Sequence, residues 1–465
     1  MTSETNELGG SPGATARVPQ TSLRGRAVRA TIWTIVGIAG SNVLRLGGNL
    51  ILTRLLFPEA FGLMALVFVF LQGMQLLSDF GIGPSVMQNE RSSDPRFLNT
   101  AWTLQVGRGA LIWFVSLVVA GPVARFYQEP MLLYLLPVVG LTGAIDGFAS
   151  TAKFTVGRLL TIGRLTVFEL VAQAASIITM VIWALIDRSV WALVAGAIVA
   201  AIVRTALSYR LTDEPRNHFE WDPAAARSII HFGKWIFLTS AVGFLASHVD
   251  RLILGKLIPL DIFGVYTIAF MLASFPDMLV GQMAMKVIFP AATERMRLPR
   301  AELRQLIVKN RRPLILALAI GVAFLAAAGD QLVRLLYDPR YYAAGWMLSI
   351  LALGLWPKMM INSVGAALLA IGQPRYLAVA GIARFVLLVV GLPVAYHAFG
   401  MLGVVAAIAL SGVSDYFVEG YGLWRHGLLV LRQDLAMTLV WLLTLAGALS
   451  LRHVLGLPLP FLPAT

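Results

Sequence analysis

The chain has 465 residues, of which 58% are hydrophobic and only 13% are charged, and its formal net charge is +13. An average soluble domain is about 25% charged, so the composition excludes an ordinary soluble enzyme or binding domain. The chain contains no cysteine, which excludes disulfides, thiolate chemistry and cysteine-based metal sites.

Apolar runs recur along the whole chain, and each is long enough to cross a hydrocarbon core of about 30 Å as a helix. The pattern predicts an all-α polytopic membrane protein with about 12–14 transmembrane helices. We place thirteen spans at residues 31–52, 61–82, 102–123, 131–152, 165–186, 190–208, 230–254, 263–288, 313–335, 345–371, 376–396, 401–424 and 434–455.

Lys and Arg concentrate in every second loop, which places the N-terminus in the cytoplasm by the positive-inside rule. The basic residues therefore indicate membrane topology and not nucleic-acid binding. The opening segment is polar, lacks the apolar core of a signal peptide, and is predicted to be a disordered cytoplasmic tail. The predicted domains are the tail (1–30), an N-lobe of six spans (31–208), a cytoplasmic linker with an amphipathic helix (209–229), a C-lobe of six spans (230–424), and extra C-terminal span(s) (425–465).

Two stretches outside the spans are amphipathic. In "DPAAARSIIHF", Asp222 suits a helix N-cap and Pro223 the first helical position. In "RAELRQLIVKNRR" (300–312), Leu303 and Ile307 share one face and the basic residues lie elsewhere. We interpret both stretches as helices on the inner membrane surface that anchor the topology; the alternative is guidance of a lipid substrate.

A repeat relates residues that are 202 positions apart. The equivalent residues are Trp33 and Trp235, Arg54 and Lys256, Glu59 and Asp261, Phe61-Gly62 and Phe263-Gly264. Each copy holds about six spans, and an even number gives both copies the same orientation. The repeat therefore predicts two parallel six-helix lobes around a central cavity, with a substrate site at their interface.

Several motifs resemble a known transporter family. "TRLLFPEAFGLMAL" (53–66), "LLSDFGIGPSVMQ" (76–88), "FLNTAWTLQVGRG" (97–109) and "DRLILGKLIPLDIFGVYTIAFMLASFP" (250–276) are similar to the polysaccharide transporter family of Wzx-type oligosaccharide flippases, within the multidrug/oligosaccharidyl-lipid/polysaccharide (MOP) exporter superfamily. The similarity is clear over residues 31–130 and 230–295.

The resemblance implies a function. Such a flippase moves undecaprenyl-diphosphate-linked oligosaccharide across the bacterial inner membrane by alternating access, for exopolysaccharide, capsule or O-antigen synthesis. The implied partners are this lipid-linked substrate and membrane lipids, with a polysaccharide polymerase and the export machinery as further candidates and no nucleic acid. The chain would then be no enzyme and need no cofactor beyond a coupling H⁺ or Na⁺. Many family members have fourteen spans, so the last helices are the part in which this chain departs from the family.

Embedded cations are the residues that an anionic diphosphate would need, because Arg matches phosphate oxygens and stays protonated. Asn42, Arg45 and Asn49 lie three and four residues apart and share one face of the first span. The predicted cationic pathway consists of Arg45, Asn42, Asn49, Arg108, Arg251, Lys286, Lys358 and Arg384. The competing interpretation is that those near span ends only reach toward the interface.

Three embedded acids are predicted to serve ion coupling or a gate: Asp277, Glu169 and Asp250. Asp277 follows Pro276, which is expected to break a helix hydrogen bond, and pairing of Asp277 with Lys358 or Arg384 is the alternative. The six histidines show no metal-ligand spacing, so no metal site is predicted. Glycines such as Gly37 and Gly48 are expected to allow close helix approach.

Two other functions remain open. A drug antiporter of the sister MATE type would share the architecture, but it should present acids and aromatic residues in its cavity and not several bases. An integral-membrane glycosyltransferase or polymerase usually needs a sizeable outer loop with acid and base residues, and the outer loops here are short.

Overall fold

The computed structural model describes residues 23–78, 81–88, 91, 94–158, 162–211, 217–285, 293 and 299–462. Most of the predicted tail (1–30) lies outside these residues, as does Lys286. The described part is helical, with a short 3₁₀ turn at Pro339–Tyr341. The α-helices are α1 (Leu23–Leu55), α2 (Pro58–Leu77), α3 (Ile82–Gln88), α4 (Pro95–Tyr127), α5 (Leu132–Gly147), α6 (Ala152–Arg158), α7 (Ile162–Ile186), α8 (Trp191–Ser208), α9 (Pro223–Leu257), α10 (Leu260–Met283), α11 (Arg300–Leu336), α12 (Ala344–Ala370), α13 (Arg375–Arg425) and α14 (Leu431–Val454).

Each of the thirteen predicted spans falls on one of these helices. Among the described residues, nine helices are long and apolar enough to cross a membrane. The 51-residue α13 contains two predicted spans, because Gly400 interrupts it with φ 61° and ψ −145°. A positive φ is open to glycine, so the chain turns there and gives two arms. The all-α, multi-pass architecture is confirmed.

The two amphipathic stretches are the first turns of long helices. Asp222 is confirmed as an N-cap, since its carboxylate accepts a hydrogen bond from the amide of Ala224 at 2.9 Å. The helix then continues without a break to the end of α9. The 300–312 stretch likewise runs into α11, and its Leu303 and Ile307 are buried against α12 and α13. The prediction of separate surface helices is therefore wrong, because these apolar faces pack on protein.

The repeat is visible in the helix boundaries and in the contact between its two copies. Helices α1 and α9 end at residues 55 and 257, and α2 and α10 begin at 58 and 260, which are 202 positions apart. A Cβ at Gly62 would overlap the carbonyl oxygen of Leu260, and a Cβ at Gly264 would overlap that of Pro58. The contact is reciprocal, as expected where equivalent surfaces meet across a two-fold axis.

Further contacts join the lobes at the same end of the bundle, the outer end in the predicted orientation. The Arg340 guanidinium donates to the carbonyl of Arg54 at 3.1 Å, and the Tyr341 hydroxyl to that of Leu56 at 3.2 Å. The Tyr127 hydroxyl donates to the carbonyl of Leu252 at 2.9 Å. The two lobes are thus sealed together beside the glycine contact.

At the opposite end, the segment before α9 is fastened to the start of α4. Arg91 bridges the two N-cap carboxylates, of Asp94 and Asp222, at 2.8 Å each. These hydrogen bonds from the guanidinium lower the pKa of both carboxyl groups. The Asn99 amide also donates to Glu220 at 2.9 Å. The linker between the lobes is therefore attached to the N-lobe by charged groups.

Buried charge fixes α14 to the C-lobe near one end. The Arg311 side chain is fully buried, and its guanidinium meets the Asp434 carboxylate at 2.6 Å. Arg311 also donates to the Ser363 hydroxyl at 2.6 Å, while the Tyr416 hydroxyl donates to Asp434 at 2.9 Å. The sequence pattern placed the basic residues of the 300–312 stretch away from its apolar face and did not indicate that Arg311 is buried, because its partner lies 123 residues away.

A second ion pair fixes the other end of α14. Arg452 donates to both carboxylate oxygens of Asp330 on α11. Between the two pairs, the rings of Trp356 and Trp441 stack at 5.6 Å. The cation belongs to α11 in the first pair and to α14 in the second, so the two helices are matched in register along most of their length.

We expect Gly264→Ala to destabilise the protein by about 1–3 kcal/mol, because the added methyl group overlaps backbone that cannot move aside like a side chain. The matched control is Gly281→Ala on the same helix, where the structure leaves open space and alanine favours the helix. Thermal unfolding of the purified proteins in one detergent checks this. Equal midpoints for the two variants would contradict the close contact.

We expect Asp434→Asn to lower the free energy of unfolding by about 3–5 kcal/mol, because it leaves the buried Arg311 guanidinium without its counter-ion. The control Glu302→Gln makes the same chemical change at an exposed position of α11 and should be close to neutral. Unfolding in mixed micelles with rising dodecyl sulfate measures both. Similar losses in the two variants would show that the pair is not important for stability.

Candidate functional site

The C-lobe brings several of the predicted charged residues into one polar cluster. The Lys358 ammonium on α12 meets the Asp277 carboxylate on α10 at 2.7 Å, and the Asn362 amide donates to the other carboxylate oxygen at 2.8 Å. Asp277 therefore pairs with Lys358, one of the two partners that the sequence left open. Helix α10 continues through Pro276, although proline cannot donate the helix hydrogen bond at that position.

Arg384 extends this cluster along α13. Its guanidinium lies 3.7 Å from the Asp415 carboxylate, at the distance of a loose ion pair. Its Nε is buried and has no hydrogen-bond partner among the described residues. The Gly412 backbone, one turn from Asp415, lies against the Lys358 side chain, so the two ion pairs are neighbours. Most N–H groups of the Arg384 guanidinium therefore have no acceptor among the described residues and are available to a ligand.

Asp250 and Arg251 are adjacent in the sequence but have different surroundings. Asp250 is buried and accepts a hydrogen bond from the Tyr266 hydroxyl at 3.0 Å. The Arg251 guanidinium stacks on the Phe270 ring at 4.7 Å and lies 3.0 Å from a ring nitrogen of His248. Asp250 thus joins α9 to α10 through a buried hydrogen bond. Arg251, also on α9, is half-buried and contacts α10 through the Phe270 ring.

The predicted polar face of α1 exists, with its members in different roles. Arg45 is exposed and donates to the Asn42 amide oxygen at 2.9 Å. The Asn49 amide reaches the Met271 sulfur of α10 at 2.9 Å, across the lobes. Arg45 lies one turn from that inter-lobe contact, on the face that α1 turns toward the C-lobe.

Glycines allow α1 to approach α7, as expected. A Cβ at Gly37 would crowd the Thr166 side chain, and one at Gly48 would crowd Ile177. The Ser41 hydroxyl also donates to the Gln173 amide at 2.7 Å. The α7 face of α1 is therefore packed, and Arg45, one turn from both Ser41 and Gly48, lies at the edge of that face.

Arg108 and Glu169 belong to a separate pocket inside the N-lobe. The pocket encloses about 500 Å³ between helices α2 to α8, and its charged lining is Arg108, Asp146, Lys153, Glu169 and Arg204. Arg108 donates to the Gln75 carbonyl at 2.6 Å and to the Ser78 hydroxyl at 3.1 Å. The structure thus divides the predicted site residues between this pocket, the α1 face and the C-lobe cluster.

Sequence analysis missed three charged residues of this pocket as site residues. They are Lys153, Arg204 and Asp146. Arg204 lies 3.5 Å from the Asp146 carboxylate. Asp146 lies near the end of the fourth span and Arg204 near the end of the sixth. Two spans separated by one other run in the same direction, so both residues are expected on the same side of the membrane, and this was the available signal.

We expect Lys358→Gln and Asp277→Asn each to destabilise the protein and the double variant to recover part of the loss. Removing one partner leaves the other charge poorly compensated, whereas removing both leaves two neutral amides. The coupling energy should be about 1–3 kcal/mol in a double-mutant cycle measured by detergent denaturation. Strictly additive losses would mean that the two side chains do not interact.

The chain was compared with known sequences. A family model described as "Polysaccharide biosynthesis protein" matches residues 51–345. The lipopolysaccharide biosynthesis protein WzxC of Escherichia coli K12 is 23% identical over 358 residues, which are 75% of this chain and 71% of WzxC. The succinoglycan biosynthesis transport protein ExoT of Rhizobium meliloti is 23% identical over 327 residues, 69% of this chain and 64% of ExoT. The teichuronic acid biosynthesis protein TuaB of Bacillus subtilis is 22% identical, and the match spans 62% of its length.

Solved structures establish the fold. An inward-facing multidrug resistance MATE transporter of the MOP superfamily superposes with a TM-score of 0.66, at 14% identity, over 86% of this chain and 98% of that one. The lipid II flippase MurJ, in an inward closed conformation, superposes with a TM-score of 0.63 at 11% identity. The superposition covers 92% of this chain and 99% of the MurJ chain. The expected MOP-type architecture is confirmed, and the family match covers more than half of the chain. This multi-pass membrane protein belongs to the polysaccharide biosynthesis protein family.

Proposed function

We propose that the protein is a flippase that carries an undecaprenyl-diphosphate-linked oligosaccharide across the bacterial inner membrane. The observation that carries the proposal is the presence of basic side chains within the spans of both lobes, beside polar clusters. A charge at the membrane centre costs about 2.5–3.5 kcal/mol on insertion scales, so such residues are usually functional. A diphosphate is the part of this substrate that bases recognise.

Arg45 is the base best placed to meet a diphosphate between the lobes. Its guanidinium is exposed, its only described hydrogen-bond acceptor is the neutral Asn42 amide, and it lies one turn from the Asn49–Met271 contact with the C-lobe. Arg384, with a long ion pair and a buried unpartnered Nε, is the second candidate on the C-lobe side. Arg251 and Lys358 are engaged with Phe270 and Asp277 and would position the headgroup more weakly.

The contacts between the lobes are consistent with one state of an alternating-access cycle. The reciprocal glycine contact and the hydrogen bonds of Arg340 and Tyr341 close one end of the bundle. Opening that end requires these contacts to separate while the charged linker contact at the other end holds the lobes together. Transport by this movement needs no chemical change in the substrate, in keeping with a transporter and not an enzyme.

Ion coupling by H⁺ or Na⁺ belongs to this proposal. The three predicted acids differ in the group that an incoming ion would have to displace. At Asp277 this group is the Lys358 ammonium, and at Asp250 it is the Tyr266 hydroxyl. Glu169 has no ion-pair partner among the described residues. Glu169 is exposed in its pocket, so it is the acid that exchanges an ion with the least rearrangement.

The test measures the lipid-linked oligosaccharide on each face of the inner membrane in a deletion strain. The strain carries an empty vector, the wild type, Arg45→Gln, Arg45→Lys or Arg54→Gln at matched expression. Arg54 is an exposed base in the last turn of α1 and is not one of the predicted pathway residues, so Arg54→Gln makes the same change outside the predicted pathway.

We expect the wild type, Arg45→Lys and Arg54→Gln to relieve the build-up of substrate on the inner face. Arg45→Gln should flip the substrate about tenfold more slowly, because a charge-assisted hydrogen bond contributes about 1.5–3 kcal/mol. Equal rates for Arg45→Gln and Arg54→Gln would remove Arg45 from the pathway. No build-up in the deletion strain, with no second transporter present, would refute the flippase.

A further inference from the structure

The N-lobe pocket is composed entirely of side chains from the first six spans and their connections. Two cavities, of about 500 and 630 Å³, both reach Gln75, Arg108, Asp146 and Arg204. Volumes of this size are typical of sites for small organic ligands. The pocket lies where α5 and α8 end and α7 begins, which is the inner end in the predicted orientation.

The charged lining of the first cavity carries one more positive than negative charge. Its bases are Arg108, Lys153 and Arg204, and its acids are Asp146 and Glu169. Asp146 and Arg204 are close enough, at 3.5 Å, to compensate each other. Arg108 is held by the Gln75 carbonyl and the Ser78 hydroxyl. Arg108 and Lys153 then share the remaining acid, Glu169, which leaves one net positive charge between them.

Lys153 is half-buried, yet its ammonium group has no hydrogen-bond acceptor and no ion pair within the described residues. Its described contact is with the Phe154 ring, 4.9 Å from the nitrogen. It lies within electrostatic range of Asp146, Glu169, Arg108 and Arg204. An ammonium group has three donors, and leaving them unsatisfied away from bulk water is costly. Its surroundings are those of a residue that pairs with a ligand anion.

The rest of the lining suits a hydroxylated ligand. The carboxylates of Asp146 and Glu169 and the amide of Gln75 accept hydrogen bonds, as sugar hydroxyl groups require. Phe154 and Phe168 supply apolar surface on which a sugar ring can lie. Phosphate alone would gain little from two carboxylates in the same pocket, because like charges repel.

We propose that this pocket holds a saccharide unit with a single acidic group, and that Lys153 is the counter-ion of that group. This inference rests on the proposed function, since it names the part of the transported head group that the N-lobe recognises. The anion could reach Lys153 as a sugar carboxylate or as a phosphate of the lipid carrier. The pocket combines one base that is unpaired among the described residues with two carboxylates and aromatic rings, which suits a sugar with a carboxylate group better than a phosphate.

The test is binding of small probes to the purified full-length protein in nanodiscs, followed by saturation-transfer difference NMR. Cellobiouronic acid and cellobiose form a matched pair, because they differ by a carboxylate in place of a hydroxymethyl group. Inorganic pyrophosphate is the third probe and represents the lipid carrier. The variants are Lys153→Gln, Lys153→Arg and, as a control, Lys256→Gln, whose ammonium lies over Phe126 outside the pocket.

We expect the wild type and Lys256→Gln to bind cellobiouronic acid at least about tenfold more tightly than cellobiose. Lys153→Gln should abolish this preference while it leaves cellobiose binding unchanged, and Lys153→Arg should restore much of it. The unchanged cellobiose signal shows that the variant is folded and that the pocket is intact.

Three outcomes would overturn the inference. They are equal binding of the two disaccharides by the wild type, an unchanged preference in Lys153→Gln, and displacement of cellobiouronic acid by pyrophosphate at lower concentration than by the disaccharide itself. The proposed function fails separately, through the inner-face measurement on the wild type, which does not depend on these probes. A flippase that relieves the build-up but shows no preference for the acidic disaccharide would refute this inference alone.

Discussion

A charge inside an apolar helix bundle must find a partner, and this constraint determines much of the architecture. Burying one partner without the other costs several kcal/mol, so each embedded charge selects which helices pack together and in which register. Arg311 with Asp434 and Arg452 with Asp330 join α11 to α14, and Lys358 with Asp277 joins α12 to α10. The few groups left incompletely paired are then the informative ones. Arg45 and Lys153 are of this kind among the described residues.

The two halves of the chain meet backbone to backbone at one contact. At the α2–α10 contact, glycines place the backbone of one lobe against the backbone of the other, and no side chain intervenes. The carbonyl–glycine contact defines the position of the lobes at that end, while charged groups such as Arg91 and Asp222 define it at the other. Between these ends lie the polar groups of α1, α9 and α13, among them Arg45, Arg251 and Arg384.

Sequence patterns predicted the fold well because they depend on local rules. Each span predicted from apolar run length falls on a helix, and nine of the described helices are long and apolar enough to cross a membrane. The repeat of Phe61-Gly62 at Phe263-Gly264 predicted two equivalent lobes, but not that these glycines meet. The candidate site was predicted only in part. Asp277 and Lys358 were foreseen together, because embedded opposite charges attract. The roles assigned to the predicted site residues stay predictions.

The remaining features depend on contacts that no local pattern encodes. Arg311 lies within the amphipathic stretch at 300–312, and only its packing against a helix 123 residues later makes it a core residue. The same holds for the division of Arg108 and Arg45 between two sites. Both are basic residues in apolar spans, and their sequence surroundings do not reveal that one lies within the N-lobe and the other faces the C-lobe.

The paired charges of α11 and α14 also have a consequence for biosynthesis. Arg311 and Asp330 are synthesised 123 and 122 residues before their partners. While the ribosome translates the intervening helices, α11 carries one uncompensated charge near each end. Helix α11 therefore reaches its final position in the bilayer only after α14 has been inserted. Until then, the insertion machinery or lipid headgroups must solvate both charges. The last helix of the bundle thus completes the integration of a helix that entered the membrane long before it.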